Sequence, residues 1–105
     1  MIKENYEFRT VLKSGRCYKG KLLDIFVKKN NKNINRIGIA VSKKAGNSVK
    51  RNRIKRLIRE NYKNIEKDLK TGFNIIIMWK KNAEFINFDY YTVKEDIINL
   101  FRAMN

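Results

Sequence analysis

The sequence contains no histidine, no proline, a single cysteine (Cys17), and only 10 Asp and Glu against 25 Lys and Arg. Each shortage excludes something. Without histidine, the most frequent general base and zinc ligand are missing, and one thiol can form neither an internal disulfide nor a multi-thiolate zinc site. Cys17 therefore reads as a small packing residue, since no imidazole is present to activate it as a nucleophile. The few acids do not form a catalytic pair: Asp24 stands alone in an apolar segment, and adjacent Glu95 and Asp96 fall on different faces of any helix. The longest apolar run, residues 75–79, is too short to span a bilayer, and the opening MIKENYEFRT has no apolar signal region. A cytoplasmic location without membrane contact is the expectation. The scarcity of acids is the most informative shortage. A net charge of +15 on 105 residues repels itself unless anions surround it, so a polyanionic partner and strong salt dependence are expected.

What is present is the composition of one folded domain, residues 1–105, with 43% apolar residues. Residues 5–15, NYEFRTVLKSG, fit a short helix with Asn5 as a possible cap, Glu7 in the first turn and Gly15 just past the end. Phe8, Val11 and Leu12 share one stripe of it. Residues 21–28 and 36–43 read as strands around a polar turn at 30–35. In the second strand, Gly38 and Ala40 leave one face nearly bare, open to close packing. AGNS at 45–48 is a turn with a cap candidate, and a long periodic segment follows, about 49–70, ended by Gly72. Ile54, Leu57, Ile58, Asn61, Ile65 and Leu69 fall on one arc at ~100° per residue, with Lys55, Arg56, Arg59 and Lys63 opposite and Arg51 and Arg53 on the flanks. Residues 73–80, FNIIIMWK, read as a central strand. A last helix runs over 89–104, with Asp89 a candidate cap. Helix, strands, helix, strand, helix make an α+β sandwich with a small mixed sheet.

The stretch SKKAGNSVKRNRIKRLIRE, residues 42–60, carries most of the functional information. A solvated helix face mixes charges of both signs for i, i+4 pairing, but here almost no acid appears before Glu60. A disordered tail would lack the apolar stripe. A membrane-surface helix would carry bulky aromatics on it. Nucleic-acid contact fits best. Phe8, Phe26 and Tyr18 are core residues by default, with stacking on unpaired bases as the alternative; Trp79 beside Lys80 and Lys81 is open in the same way. Glu60 and Glu66 read as ion-pair partners.

The run GIAVSKKAGNSVKRNRIKRLIRE, residues 38–60, closely resembles the signature of the bacterial ribonuclease P protein subunit, of the form VSKK-x-GNAV-x-RNR-x-KR-x-x-RE. Val41, Ser42, Lys43, Lys44, Gly46, Asn47, Val49, Arg51, Asn52, Arg53, Lys55, Arg56, Arg59 and Glu60 meet it, with Ser48 in place of the usual alanine. Phe8, Val11 and Gly15 meet the family's N-terminal pattern. The family's Arg-Pro after the last strand is replaced by Trp79-Lys80-Lys81, and Leu12 stands where an aromatic is common.

The resemblance implies an αβββαβα two-layer sandwich with a left-handed βαβ crossover. It implies the non-catalytic protein subunit of the tRNA 5′-endoribonuclease, in which an RNA subunit performs metal-assisted hydrolysis and mainly holds the Mg2+. Its implied partners are ribonuclease P RNA, one protein per RNA, and precursor tRNA. By position, Lys43, Lys44, Asn47, Lys50, Arg51, Asn52, Arg53, Lys55, Arg56 and Arg59 would contact the catalytic RNA, while Phe8, Leu12 and Phe26 would line a cleft for the 5′ leader. Asn52, uncharged among arginines, would hydrogen-bond or cap. The alternatives are a structural rRNA-binding ribosomal protein and a basic DNA-binding domain, the latter lacking a recognition-helix pair or metal motif.

Overall fold

A computed structural model describes residues 5–81 and 88–104. Its order is α1 (Asn5–Ser14), β1 (Arg16–Lys19), β2 (Leu23–Lys29), β3 (Arg36–Ala40), α2 (Ser48–Ile65), β4 (Phe73–Trp79) and α3 (Tyr90–Met104), with single 3-10 turns at Lys43–Ala45 and Glu66–Asp68. This is the αβββαβα succession. The strands form one mixed sheet in the order β1-β2-β4-β3; β1–β2 and β2–β4 are antiparallel, and β3–β4 is parallel. The parallel pair has to be joined by a long connection, which α2 supplies.

Strand alternation sorts the side chains onto two faces. Leu23, Ile25 and Val27 of β2 and Ile75, Ile77 and Trp79 of β4 pack beneath Ile54, Leu57, Ile58 and Tyr62 of α2 and Val93, Ile97, Leu100 and Phe101 of α3. All are buried, and each such side chain contributes about 1.5–3 kcal/mol relative to exposure. The sheet with α2 and α3 is the two-layer body. On the opposite face the register produces three cross-strand rows: Lys28–Asn74–Arg36, Phe26–Ile76–Gly38, and Asp24–Met78–Ala40. Helix α1 lies across the middle row, where Val11 and Ile76 are buried and Phe8, Leu12 and Phe26 half-buried around them. The bare face at Gly38 is filled by Phe8: a methyl group there would come within 3.1 Å of its ring.

Several boundaries differ from the sequence reading, each for a local reason. Strand β1 is implied by the family's αβββαβα order but has no residue pattern of its own, because RCYK lacks apolar alternation; its pairing with β2 defines it. Cys17 is exposed rather than packed, and partial desolvation, then the Asp24 carboxylate, raise its thiol pKa. Strand β3 stops at Ala40 because Ser42 caps the next turn, its hydroxyl accepting from Lys44 N. Asn5 is already helical, so any cap before it lies outside the described residues. Gly15 donates to Val11 O at 2.8 Å, and a Cβ there would sit 2.4 Å from that oxygen. Helix α2 ends at Ile65, earlier than the periodicity suggests, and the chain turns through Gly72 at φ +98.

Asp96, which the sequence offered only as one of two adjacent acids, is a buried staple. Its carboxylate accepts from the backbone N–H groups of Lys21 (2.8 Å), Leu22 (3.0 Å) and Leu23 (3.1 Å), tying the β1–β2 turn to α3. Asp89 caps α3 as expected: its Oδ1 accepts from Thr92 N and its own N–H donates to Thr92 Oγ1, both at 2.9 Å. The Thr92 N–H holds the Asp89 carboxyl below its ordinary pKa.

Candidate nucleic-acid interface

The basic stretch becomes one rigid surface because α2 is anchored on its other side. Ile54, Leu57, Ile58 and Asn61 face the core, and the buried Asn61 donates its side-chain NH2 to Leu57 O at 2.9 Å. The opposite stripe, at helical spacing, carries Val49, Asn52, Arg56 and Lys63, flanked by Arg53 and Arg59. All six are exposed. Lys50, Arg51 and Lys55 lie half-buried at the edges, and Lys43 and Lys44 are both exposed on the preceding turn. The ten residues expected to contact RNA thus lie on α2, its N-cap and the turn before it, with Asn52, Arg53, Arg56 and Arg59 on the exposed face.

Local chemistry gives them different duties. Asn47, at φ −71 and ψ 176, is the N-cap of α2, its Oδ1 accepting from Lys50 N at 2.9 Å. Ser48 is the first helical residue and Asn52 the fifth, so the capping role allowed for Asn52 falls to Asn47. Gly46 precedes at φ +139, and a Cβ there would come within 2.6 Å of Lys50 Cδ; that backbone region favours glycine. Arg51 Nε is buried with no hydrogen-bond partner among the described residues. Arg56 and Glu60 approach at 3.9 Å, both well exposed, a pairing of little energetic weight.

The sequence reading missed what positions Arg53 and Lys50. Phe88 meets the buried Trp79 edge-on at 5.0 Å between ring centroids. Over the Phe88 ring lie the Arg53 guanidinium at 5.3 Å and the Lys50 ammonium at 5.9 Å. The end of β4 thereby sets the two cations through one aromatic relay, a contact worth about 0.5–1 kcal/mol each at exposed sites. No short-range pattern could have linked Phe88 to residues so far back in the chain. Val49, 76% exposed, also escaped; it is the apolar member of an otherwise polar stripe.

The second surface is the flank of α1 that carries Phe8 and Leu12, over Phe26. These three do converge, half-buried, on Val11 and Ile76, with the Asp24–Met78–Ala40 row beyond. Lys80 Nζ stands 3.3 Å from Asp24 Oδ1 at that end. Tyr18 instead packs on the α2–α3 side, half-buried.

A family model for ribonuclease P matches residues 1–105. The chain belongs to the ribonuclease P protein family. The ribonuclease P protein component of Clostridium botulinum (strain 657 / Type Ba4) is 43% identical over 102 residues, covering 96% of this chain and 90% of that one. That of Alkaliphilus metalliredigens is 40% identical over 103 residues, covering 98% and 91%. Among solved structures, the RNase P protein from Staphylococcus aureus superposes with a TM-score of 0.87 at 30% identity, over 99% of this chain and 94% of that one. The RNase P protein from Thermotoga maritima gives 0.92 at 26% identity over the full length of both. The chain is a protein component of the enzyme that processes the 5′ ends of tRNA, and it works with the RNA of that ribonucleoprotein. Nothing in these matches favours a ribosomal protein. Among the described residues no helix is long and apolar enough to cross a membrane.

Proposed function

We propose that the outward face of α2 grips the catalytic RNA while the Phe8–Leu12–Phe26 flank of α1 receives the single-stranded 5′ leader of precursor tRNA, one protein acting per RNA. The observation that carries this reading is the division of α2 into a buried apolar arc and an exposed stripe of Asn52, Arg53, Arg56 and Arg59. Guanidinium forks suit phosphate oxygens, and the neutral Asn52 suits a ribose or base edge. Unpaired bases need apolar or aromatic surface, which the α1 flank supplies beside a sheet face lined by Met78 and Ala40.

Mg2+ takes hard oxygen ligands in near-octahedral geometry. The α2 face offers mostly ammonium and guanidinium groups, which donate no lone pair; beside them stand only the neutral Asn52 amide oxygen and one carboxylate, Glu60, which is close to Arg56. That donor set does not fit direct coordination, which supports an ion held by the RNA. The protein's own part is to neutralise phosphates around it and to position substrate.

Substituting Phe8 by Ala tests the leader cleft. Precursor tRNA affinity should fall by more than mature tRNA affinity, because only the precursor carries a leader. Equal losses for both would point to an emptied packing site; a fully buried Phe→Ala costs about 3–5 kcal/mol, and the half-buried Phe8 should cost less.

A further inference from the structure

Helix α1 divides one sheet face into two halves, and the Phe8–Leu12–Phe26 cleft occupies only one of them. Tyr6 and Thr10 lie about half a turn round the helix from Phe8 and Leu12, and they overhang the Lys28–Asn74–Arg36 row. Together with Lys29 and Lys32 they enclose a cavity of about 410 Å³. Four cations meet a single carboxylate there, that of Glu7, which is paired with Arg36. Lys28 Nζ donates to Ser14 Oγ at 2.6 Å, and a hydroxyl leaves its charge uncompensated. Asn30 donates to Asn74 Oδ1 at 3.1 Å, so the group Asn74 can offer a ligand is its NH2. Tyr6 is 73% exposed at the mouth; its ring covers no core.

We propose that this second flank of α1 is a binding site for one unpaired ribonucleotide, distinct from the Phe8–Phe26 cleft. The phosphate is held by Lys28, Lys32 and Arg36, the base stacks on Tyr6, and its edge faces the Asn74 amide. A bare anion would require the cations but neither the exposed ring nor the central amide. A duplex does not fit, because its base edges are already paired and a cavity of this size beneath a helix admits a single nucleotide. An entering phosphate has to draw Arg36 away from Glu7, so Glu7 weakens binding. The strand comes from the leader or from an unpaired segment of the catalytic RNA. The inference rests on the proposed function only in that the protein meets RNA.

The direct test is a titration of the isotope-labelled full chain with a short oligouridylate, followed by NMR. The side-chain amide signals of Asn30 and Asn74 should move. Because Tyr6 and Lys32 are both exposed, the double variant Y6A/K32Q should keep the wild-type Tm. It should bind roughly fivefold or more weakly, from the loss of one stack, with a salt slope lower by ~0.7 because one single-strand phosphate is no longer neutralised. E7Q should bind more tightly than wild type. Fixed Asn30 and Asn74 signals, or equal affinity for wild type and Y6A/K32Q, overturn the site. Signals at Phe8 and Phe26 report on the leader cleft separately, so either reading can fail alone. In the holoenzyme, a Y6A/K32Q loss seen only with long-leader precursors assigns the strand to the leader. A loss in affinity for the catalytic RNA itself assigns it there.

Discussion

Asn47 stands in the RNA-binding signature, yet its side chain is occupied in holding the start of α2, and the two roles separate by substitution. Its Oδ1 accepts from Lys50 N at 2.9 Å, and its carbonyl accepts from Arg51 N at 3.0 Å. Replacing it by Ala removes the side-chain bond and leaves the carbonyl. The expected loss is about 1 kcal/mol, within the 0.5–2 kcal/mol typical of N-caps. For a domain near 100 residues that lowers Tm by about 4–8 °C. Replacing it by Asp keeps the cap and places a carboxylate at the positive end of the helix, so stability should match wild type or exceed it slightly. The same carboxylate sits beside Lys50 and Arg51 and opposes RNA phosphates. N47D should therefore be as stable as wild type and bind ribonuclease P RNA more weakly. Urea unfolding and salt-dependent RNA binding on the three proteins read both quantities. If N47A keeps full stability but loses RNA affinity, Asn47 is an RNA contact and the capping argument is wrong.

Two other substitutions address the grip and its scaffold. Changing Arg53 and Arg56 to Ala should weaken assembly with the RNA and lower the slope of log K against log salt by ~0.7–0.9 for each phosphate that is no longer neutralised. An unchanged slope means that they face solvent. Asp96→Ala strands the buried N–H groups of Leu22 and Leu23, while water can reach Lys21. At about 1–3 kcal/mol per stranded donor, the destabilisation should be about 2–6 kcal/mol, a large share of ordinary domain stability. A urea midpoint unmoved by Asp96→Ala would show that the β1–β2 turn is held by other means.

The parts of this molecule legible in sequence are those written in short-range periodicity. The apolar arc of α2, the uniformly apolar β4, the Asp89 cap and the open face at Gly38 all depend on residues within a few positions of one another. The RNR signature is equally local, which is why the basic face could be named residue by residue. What escaped depends on register and on distant partners. Strand β1 exists only because β2 pairs with it. The Trp79–Phe88–Arg53 relay joins a strand end to the first turns of a helix far back in the chain. Lys28, Asn74 and Arg36 form a row because antiparallel and parallel pairings bring three separate strands into alignment. The substitution of Trp79-Lys80-Lys81 for the family's Arg-Pro also acquires a reading: Trp79 is buried against Phe88, and Lys80 is paired with Asp24. The two residues therefore have packing and ion-pair roles of their own.

The most direct measurement is leader removal from precursor tRNA by ribonuclease P RNA at low magnesium, with and without the purified protein. Phosphate neutralisation by α2 and leader capture by α1 both replace work otherwise done by divalent ions, so adding the protein should raise cleavage and precursor affinity. R53A/R56A should lose most of that gain. Cleavage and affinity that stay the same with and without the wild-type protein would contradict the assignment of α2 as a grip on the catalytic RNA.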